Sequence, residues 1–191
     1  SNINSSGALI GSVDIYQFNT NANGLFRIGG LNIPIRNNVT GYGRKVALSR
    51  GGAYAAIACT ITVSGTPYQA VQILKRTPQG WVEDAFIQSP QANTRLGEIL
   101  RFLNDDTLLA GEPDYAINDD TVTNKSGVVT VVQRQSNEWQ VMNRFTPNVP
   151  EHGSAFGEFL IVDDATSTII AAAPNATVSS VASVGAVYFL Q

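Results

Sequence analysis

Tyr42-Gly43-Arg44-Lys45-Val46-Ala47-Leu48 opens a pattern that recurs twice, as Leu96-Gly97-Glu98-Ile99-Leu100 and as Phe156-Gly157-Glu158-Phe159-Leu160. In each copy a bulky apolar residue precedes a glycine, and a short apolar run follows. The three glycines are 54 and then 60 residues apart. A pattern that returns at such a spacing predicts several copies of one structural unit.

Each copy continues with further runs of residues that favour strands. The second run is rich in small residues, the third starts near a glycine in most copies, and the fourth carries Trp81 in one copy and Trp139 in the next. The predicted runs are 42–48, 55–59, 68–74 and 81–86; then 96–100, 108–113, 127–132 and 139–145; and finally 156–160, 169–174 and 185–189. Residues 11–18 and 25–33 fit the third and fourth runs of a copy without its first half. The sequence therefore predicts 13 strands, in groups of two, four, four and three.

Short β-branched and aromatic runs, separated by turn sequences such as Asn23-Gly24 and Gly51-Gly52, indicate an all-β protein. No stretch shows a sustained 3.6-residue apolar period, so we expect very little helix. Repeated units of four antiparallel strands are typical of β-propeller blades, because one unit cannot bury both its faces alone. We predict one unit over residues 1–191: a partial blade at 8–35, blades at 40–90 and 94–149, and a partial blade at 154–191.

The composition narrows the function classes. The chain has 191 residues, 12 Lys and Arg against 15 Asp and Glu, a formal net charge of −3, and only 14% charged residues. Nucleic-acid binding is disfavoured, because phosphate backbones are held by clustered Lys and Arg. The one cysteine, Cys59, excludes an internal disulfide, and the one histidine, His152, excludes a histidine-rich metal site. No apolar run approaches the roughly 20 residues of a membrane-spanning helix, so we predict no membrane insertion. We also predict no cofactor.

The repeat resembles the FG-GAP repeat of integrin-α-like β-propellers. Tyr42-Gly43 followed by Val46-Ala47-Leu48-Ser49 matches the opening of that repeat, and Gly185-Ala186-Val187-Tyr188-Phe189 matches its third strand closely. Gly111-Glu112-Pro113 and Ala172-Ala173-Pro174 stand where the family has Gly-Ala-Pro. The resemblance covers nearly the whole chain, and it implies propeller blades and an extracellular adhesion or binding role.

Calcium-binding members of that family carry an Asp-x-Asp-x-Asp-Gly loop between the first two strands. The matching loops here are 49–53, 103–107 and 162–166, and none supplies alternating oxygen ligands followed by glycine. Asp105-Asp106 and Asp163-Asp164 are predicted to form Asx turns at hairpin tips instead. The chain is similar to the calcium-free form of the repeat, and we predict no metal site.

In the integrin-like arrangement, the loops after strands two and four share one ligand-facing surface, called the upper face here. The acidic stretch at 114–120 falls in such a loop, and it is either a partner contact or a solvated turn. Tyr115 is the stronger candidate, because exposed aromatic residues often anchor interfaces. The predicted partner-binding residues are Arg36, Tyr68, Arg95, Asp114, Tyr115, Asn118 and His152.

The histidine, the cysteine, the tryptophans and the sequon asparagines are the remaining candidates for a specific role. His152 lies beside Glu151 and could act as a general base, but no nucleophile motif or second histidine accompanies it, so we predict no catalytic site and no enzyme. Cys59, in a small-residue strand, is predicted to be a buried apolar side chain, and the two tryptophans are predicted to pack in the core of the outer strands. Candidate glycosylation sites in Asn-x-Ser/Thr sequons are Asn4, Asn38, Asn124 and Asn175.

The strand count leaves the predicted ring incomplete. Thirteen strands make little more than three blades, and an open arc would expose apolar blade faces. We expect the chain to be part of a longer protein, to associate with itself, or to complete a ring with a second chain; an arc inside a larger assembly is a further alternative.

The favoured function is a non-enzymatic extracellular binding or adhesion module that presents loops to a protein or glycan partner from a rigid scaffold. One alternative is a structural subunit of a surface appendage or filament, assembled through its blades. The other is a glycan-binding lectin, in which exposed aromatic and amide side chains line sugar pockets.

Overall fold

The computed structural model describes residues 11–31 (the backbone alone for 28–31), 38–117, 125–163 and 165–190. This part of the chain is all-β and its sheets are antiparallel. The strands are β1 (Val13–Asn19), β2 (Gly24–Leu31), β3 (Val39–Thr40), β4 (Val46–Leu48), β5 (Tyr54–Val63), β6 (Thr66–Thr77), β7 (Gly80–Gln88), β8 (Leu100–Asn104), β9 (Thr107–Glu112), β10 (Val128–Gln135), β11 (Glu138–Phe145), β12 (Phe159–Asp163), β13 (Thr168–Ala173) and β14 (Ala186–Leu190).

Within the described ranges, four sheets follow one another along the chain, and none of them is closed. The N-terminal sheet is β1–β2, the first full sheet is β3–β7, the second full sheet is β8–β11, and the C-terminal sheet is β12–β14. Within the second full sheet the order is β8-β9-β10-β11, so neighbours in sequence are neighbours in space. All 13 predicted strands have a counterpart, and β3 is an additional short strand that pairs with β5 beside β4.

The prediction for the first strand is wrong at its start in all three copies of the opening pattern. Residues 42–48, 96–100 and 156–160 were expected to be strands, but β4 begins at Val46, β8 at Leu100 and β12 at Phe159. The glycines Gly97 and Gly157 have φ of 78° and 87°, which is left-handed backbone and incompatible with a strand. They sit in tight turns instead, and the following residue closes each turn, as in the bond from Glu98 N to Arg95 O at 2.8 Å.

The three repeat-opening glycines nevertheless make the same contact. The amide N of Gly43 donates to Ala58 O (3.2 Å), that of Gly97 to Gly111 O (3.0 Å), and that of Gly157 to Ala172 O (3.0 Å). Each acceptor lies in the second strand of the same sheet. The alignment of these segments in the sequence therefore corresponds to one recurring backbone geometry.

Successive sheets pack face to face through three apolar clusters. One cluster joins the first and second full sheets and includes Ala56, Leu100 and Trp139; another joins the second full sheet to the C-terminal sheet and includes Leu109 and Phe156. The third cluster holds β1 against β5. Every residue of β9 is buried, because a second strand lies between neighbours on both faces.

Glycines allow the sheets to approach closely at their junctions. A Cβ on Gly157 would lie 2.5 Å from Val128 O of the neighbouring sheet. A Cβ on Gly127 would lie 2.8 Å from Phe156 N and overlap the Phe156 carbonyl oxygen. The same approach recurs between the N-terminal sheet and the first full sheet, where Gly11 bridges to Tyr42. Backbone thus meets backbone at both junctions, and any side chain would push the sheets apart.

In the three sheets that contain both the third and the fourth strand of the repeat, this outer strand pair carries one β-bulge, and its position recurs. The register shifts after Ile15 in β1–β2, after Ile73 in β6–β7 and after Val131 in β10–β11. In each pair the fourth strand contains the extra residue. The match supports the assignment of β1 and β2 to the third and fourth strand positions of the repeat.

Candidate functional site

The loops at one end of the sheets are tied together by a contact that occurs twice. Gln91, in the loop after β7, accepts a hydrogen bond from Ala116 N (2.9 Å) and donates to Ala116 O (2.8 Å). One repeat later, Glu151 accepts a hydrogen bond from Thr177 N at 2.7 Å. In both cases a side chain four residues before the turn that opens the next sheet, which starts at Arg95 or at Ala155, fixes a loop that follows a second strand. These are the loops after strands two and four, and they form the upper face.

A groove of about 450 Å³ opens beside the first of these contacts. Its lining residues are Pro90, Gln91, Tyr115, Ala116, Ile117, Val128, Arg144 and Thr146. The guanidinium carbon of Arg144 lies 5.2 Å from the centre of the Tyr115 ring, within cation–π range. Arg144 Nε is buried and has no hydrogen-bond partner in the part of the chain that the structure describes. The groove thus combines an aromatic wall, an amide and a cation.

Arg95 and Asp114, both predicted partner-binding residues, belong to an ion-pair cluster on the same face. Arg95 Nε lies 2.8 Å from Asp114 Oδ2, and Arg95 Nη2 lies 2.8 Å from Glu158 Oε2. Burial lowers the pKa of Arg95, but the hydrogen bonds and charges of both carboxylates outweigh this and raise it. The cluster connects two loops of the upper face to the start of the C-terminal sheet, so its charges are largely engaged within the protein.

A second ionisable group, Glu112, is fully buried just below this face. Its carboxylate accepts hydrogen bonds from the hydroxyls of Ser89 and of Thr130 (3.3 Å for the latter). Burial raises the pKa of Glu112 above its ordinary value, and the hydrogen bonds and the charge of Arg144 lower it only in part. Glu112 therefore sits at the end of β9 as a buried acid held by neutral hydroxyl donors.

The other predicted partner-binding residues are scattered. Tyr68 lies within β6, opposite Ile61, and its half-buried ring packs against the apolar cluster below β1. His152 is exposed in a turn, and the carboxylate of Glu151 is bonded to Thr177 N. Arg36 and Asn118 lie outside the described residues. Of the predicted set, the structure brings together Arg95, Asp114 and Tyr115.

Asn38 and Asn175, two of the four sequon asparagines, lie in the described part of the chain, and both are exposed. The Asn38 side chain donates to Thr62 O at 2.8 Å. Asn4 and Asn124 fall outside that part. Cys59 is completely buried in β5, as predicted.

The hairpin tips at the opposite end form Asx turns, although the residues differ in part from the prediction. Asp163 Oδ1 accepts from Ala165 N (3.1 Å), but in the preceding repeat Asn104 takes this role with Asp106 N (2.9 Å). Asp105 instead accepts from Gly51 N in the neighbouring sheet (3.0 Å). Asp164 lies outside the described residues. Within those residues, no group of three or more His, Cys, Asp or Glu side chains is placed to hold a metal ion.

Gln91, Arg144 and Glu112 were not among the site residues predicted from the sequence. Gln91 and Arg144 carry no signal of their own, since polar residues in a loop and an outer strand are expected on any surface. Glu112 does carry one, because the equivalent positions in the small-residue strands are Cys59 and Ala173. A lone acid among small apolar residues predicts a buried carboxyl with dedicated donors.

No protein-family model matches this chain, and no curated protein matches it either. Among the described residues there is no helix long and apolar enough to cross a membrane.

Proposed function

We propose that this chain is a non-enzymatic extracellular binding or adhesion module whose sheets are blades of an FG-GAP-like propeller, and whose ligand contacts the groove between Tyr115 and Arg144. The groove carries the proposal. Among the described residues of the upper face, an aromatic ring, an amide and an arginine together line this groove.

The surrounding contacts support a binding role because they hold the groove in shape. Gln91 ties the loop at 116 to the loop after β7 through two hydrogen bonds. Arg95 ties the same region to Asp114 and Glu158. Loops fixed in this way lose little conformational entropy when a ligand binds. Tyrosine and arginine are also the residue types most often found at the energetic centre of interfaces.

The test is a binding screen with matched variants. The immobilised chain is exposed to a panel of extracellular-matrix proteins and glycans, and each hit is measured again with Tyr115→Ala and Arg144→Ala. We expect at least about a tenfold loss of affinity in each variant, which corresponds to about 1.4 kcal/mol. Arg76→Ala, an exposed arginine next to the β6–β7 turn, is the control and should bind as the wild type does. A panel without hits, or hits that are indifferent to both groove variants, would overturn the proposal.

A structural subunit of a surface assembly is the second candidate, and one observation favours it. Large apolar side chains are exposed on the outward face of the C-terminal sheet, including Phe159 (59%), Ile161 (63%), Val187 (61%) and Phe189 (68%). Polymers that grow with protein concentration and dissolve when Phe189 is changed to Glu would support this role. A stable monomer at all concentrations would contradict it.

A further inference from the structure

In the part of the chain that the structure describes, the N-terminal sheet consists of two strands, β1 and β2, which correspond to the outer two strands of the repeat. In the full sheets, the third strand is paired on both edges: β6 with β5 and β7, and β10 with β9 and β11. β1 occupies the same position, but within the described residues its only ladder is with β2. One edge of β1 therefore presents backbone N–H and C=O groups in extended geometry, which is a template for a further strand.

An uncovered apolar surface lies directly beside this edge. Val46 and Leu48 of β4 are 54% and 60% exposed. Val46 is the third residue after its repeat-opening glycine, and so are Leu100 and Leu160, which are only 1% and 2% exposed. Equivalent positions thus differ in burial because of what lies next to them, and not because of their own strand.

The internal junctions show what covers the equivalent residues. Leu100 packs in one cluster with Ala56 and Ala58 of β5. Leu160 packs in another with Leu109 of β9. In both cases the cover comes from the small-residue second strand of the preceding sheet. Before β4 no such strand lies within residues 11–31 or the other described ranges, and a groove of about 240 Å³ is present there, lined by residues that include Val13, Ile15, Val46, Leu48 and Ile57.

We propose that this groove and the free edge of β1 are a docking site for a β-hairpin of a separate polypeptide with the chemistry of strands one and two of this repeat. The second strand of the hairpin pairs antiparallel with β1, as β9 pairs with β10. Its aliphatic side chains cover Val46 and Leu48, as Leu109 covers Leu160. Strand addition of this kind gains affinity from main-chain hydrogen bonds and specificity from side-chain pockets.

The chain itself supplies a probe. A synthetic peptide with the sequence of residues 94–113 contains the two strands β8 and β9 that perform this role for the C-terminal sheet. We expect it to bind the intact chain, and a peptide with Leu109→Asp to bind at least about tenfold more weakly, since 1.4 kcal/mol of lost contact changes Kd tenfold. Amide hydrogen exchange should slow in β1 when the peptide binds.

Two variants of the chain locate the site. Leu48→Glu should abolish peptide binding and is compatible with folding, because Leu48 is largely exposed in the free chain. Val82→Glu replaces an apolar side chain of similar exposure (47%) on an outer strand and should leave binding unchanged. Absence of binding, binding that survives Leu48→Glu, or binding without slower exchange in β1 would overturn the proposal. None of these outcomes bears on the Tyr115 groove, which lies in a different part of the chain.

Discussion

Gly127 offers a direct test of how closely the second full sheet and the C-terminal sheet approach each other. Its φ is 85°, and an added Cβ would lie 2.8 Å from Phe156 N and 2.9 Å from Pro113 O, besides overlapping the Phe156 carbonyl. Gly65 has nearly the same φ of 81°, but nothing lies within 4 Å of an added Cβ. Gly65→Ala is therefore the matched control for Gly127→Ala.

The two variants should differ by the cost of the close approach alone. Left-handed backbone costs an alanine about 1–2 kcal/mol, and this is all that Gly65→Ala should lose. Gly127→Ala should lose the same amount of stability for its backbone conformation. It must also separate two packed backbones, and such overpacking costs about 1–3 kcal/mol. Its free energy of unfolding should fall by about 2–5 kcal/mol in total.

Urea unfolding followed by tryptophan fluorescence measures this difference. With a slope of about 2–3 kcal/mol per molar urea, the midpoint of Gly127→Ala should lie about 0.3–1.5 M below that of Gly65→Ala. Equal midpoints for the two variants would refute the reasoning, because they would show that no backbone lies where the added methyl group points.

Two further predictions concern buried polar groups. Glu112→Gln keeps the shape of the side chain and removes the charge that the wild-type carboxyl carries when ionised. Because burial raises the folded-state pKa of Glu112, the wild-type carboxyl does not destabilise the fold below about pH 4.5. Its stability contribution is lost as the pH rises through the folded-state pKa. The variant should therefore gain stability relative to the wild type as the pH rises above about 4.5, measured as urea midpoints at each pH, and a difference that does not change with pH would contradict this. Trp139→Phe removes the indole N–H that donates to Asp84 Oδ2 at 2.8 Å and should cost about 1.5–3 kcal/mol. The loss is measured by thermal unfolding, with Trp81→Phe at the equivalent register position as the control. An equal loss of stability in both variants would count against the role of Asp84.

Much of the strand layout was predictable because it depends on local patterns. Aromatic-glycine pairs, small-residue runs and tryptophans recur in register, and the structure confirms an all-β chain with strands in the expected order. The starts of β8 and β12 were not predictable from strand propensity, because the left-handed conformation of Gly97 and Gly157 is set by the contact with the second strand. Tertiary geometry decided those boundaries.

The candidate site was predictable only in part. Tyr115 and its loop stand out in the sequence as an aromatic residue in an acidic connection. Arg144 comes from an outer strand and Gln91 from another loop, and nothing in their local sequence shows that they meet Tyr115. Arg95 and Asp114 were expected to face a partner, but they bind each other and Glu158, since opposite charges on neighbouring loops pair where they can.

In the sheets that have a fourth strand, the inner strands and the bulged outer pair determine two different geometric quantities. The inner strands, with their glycines and small residues, determine how far apart successive sheets stand. The bulge increases the local twist of strands three and four, and thereby determines the angle at which the outer half leans away from its neighbour. Spacing and angle can therefore vary independently: a change at Gly157 alters the first, while a residue gained or lost beside Met142 alters the second. A longer array of such sheets could adjust its curvature without repacking its centre.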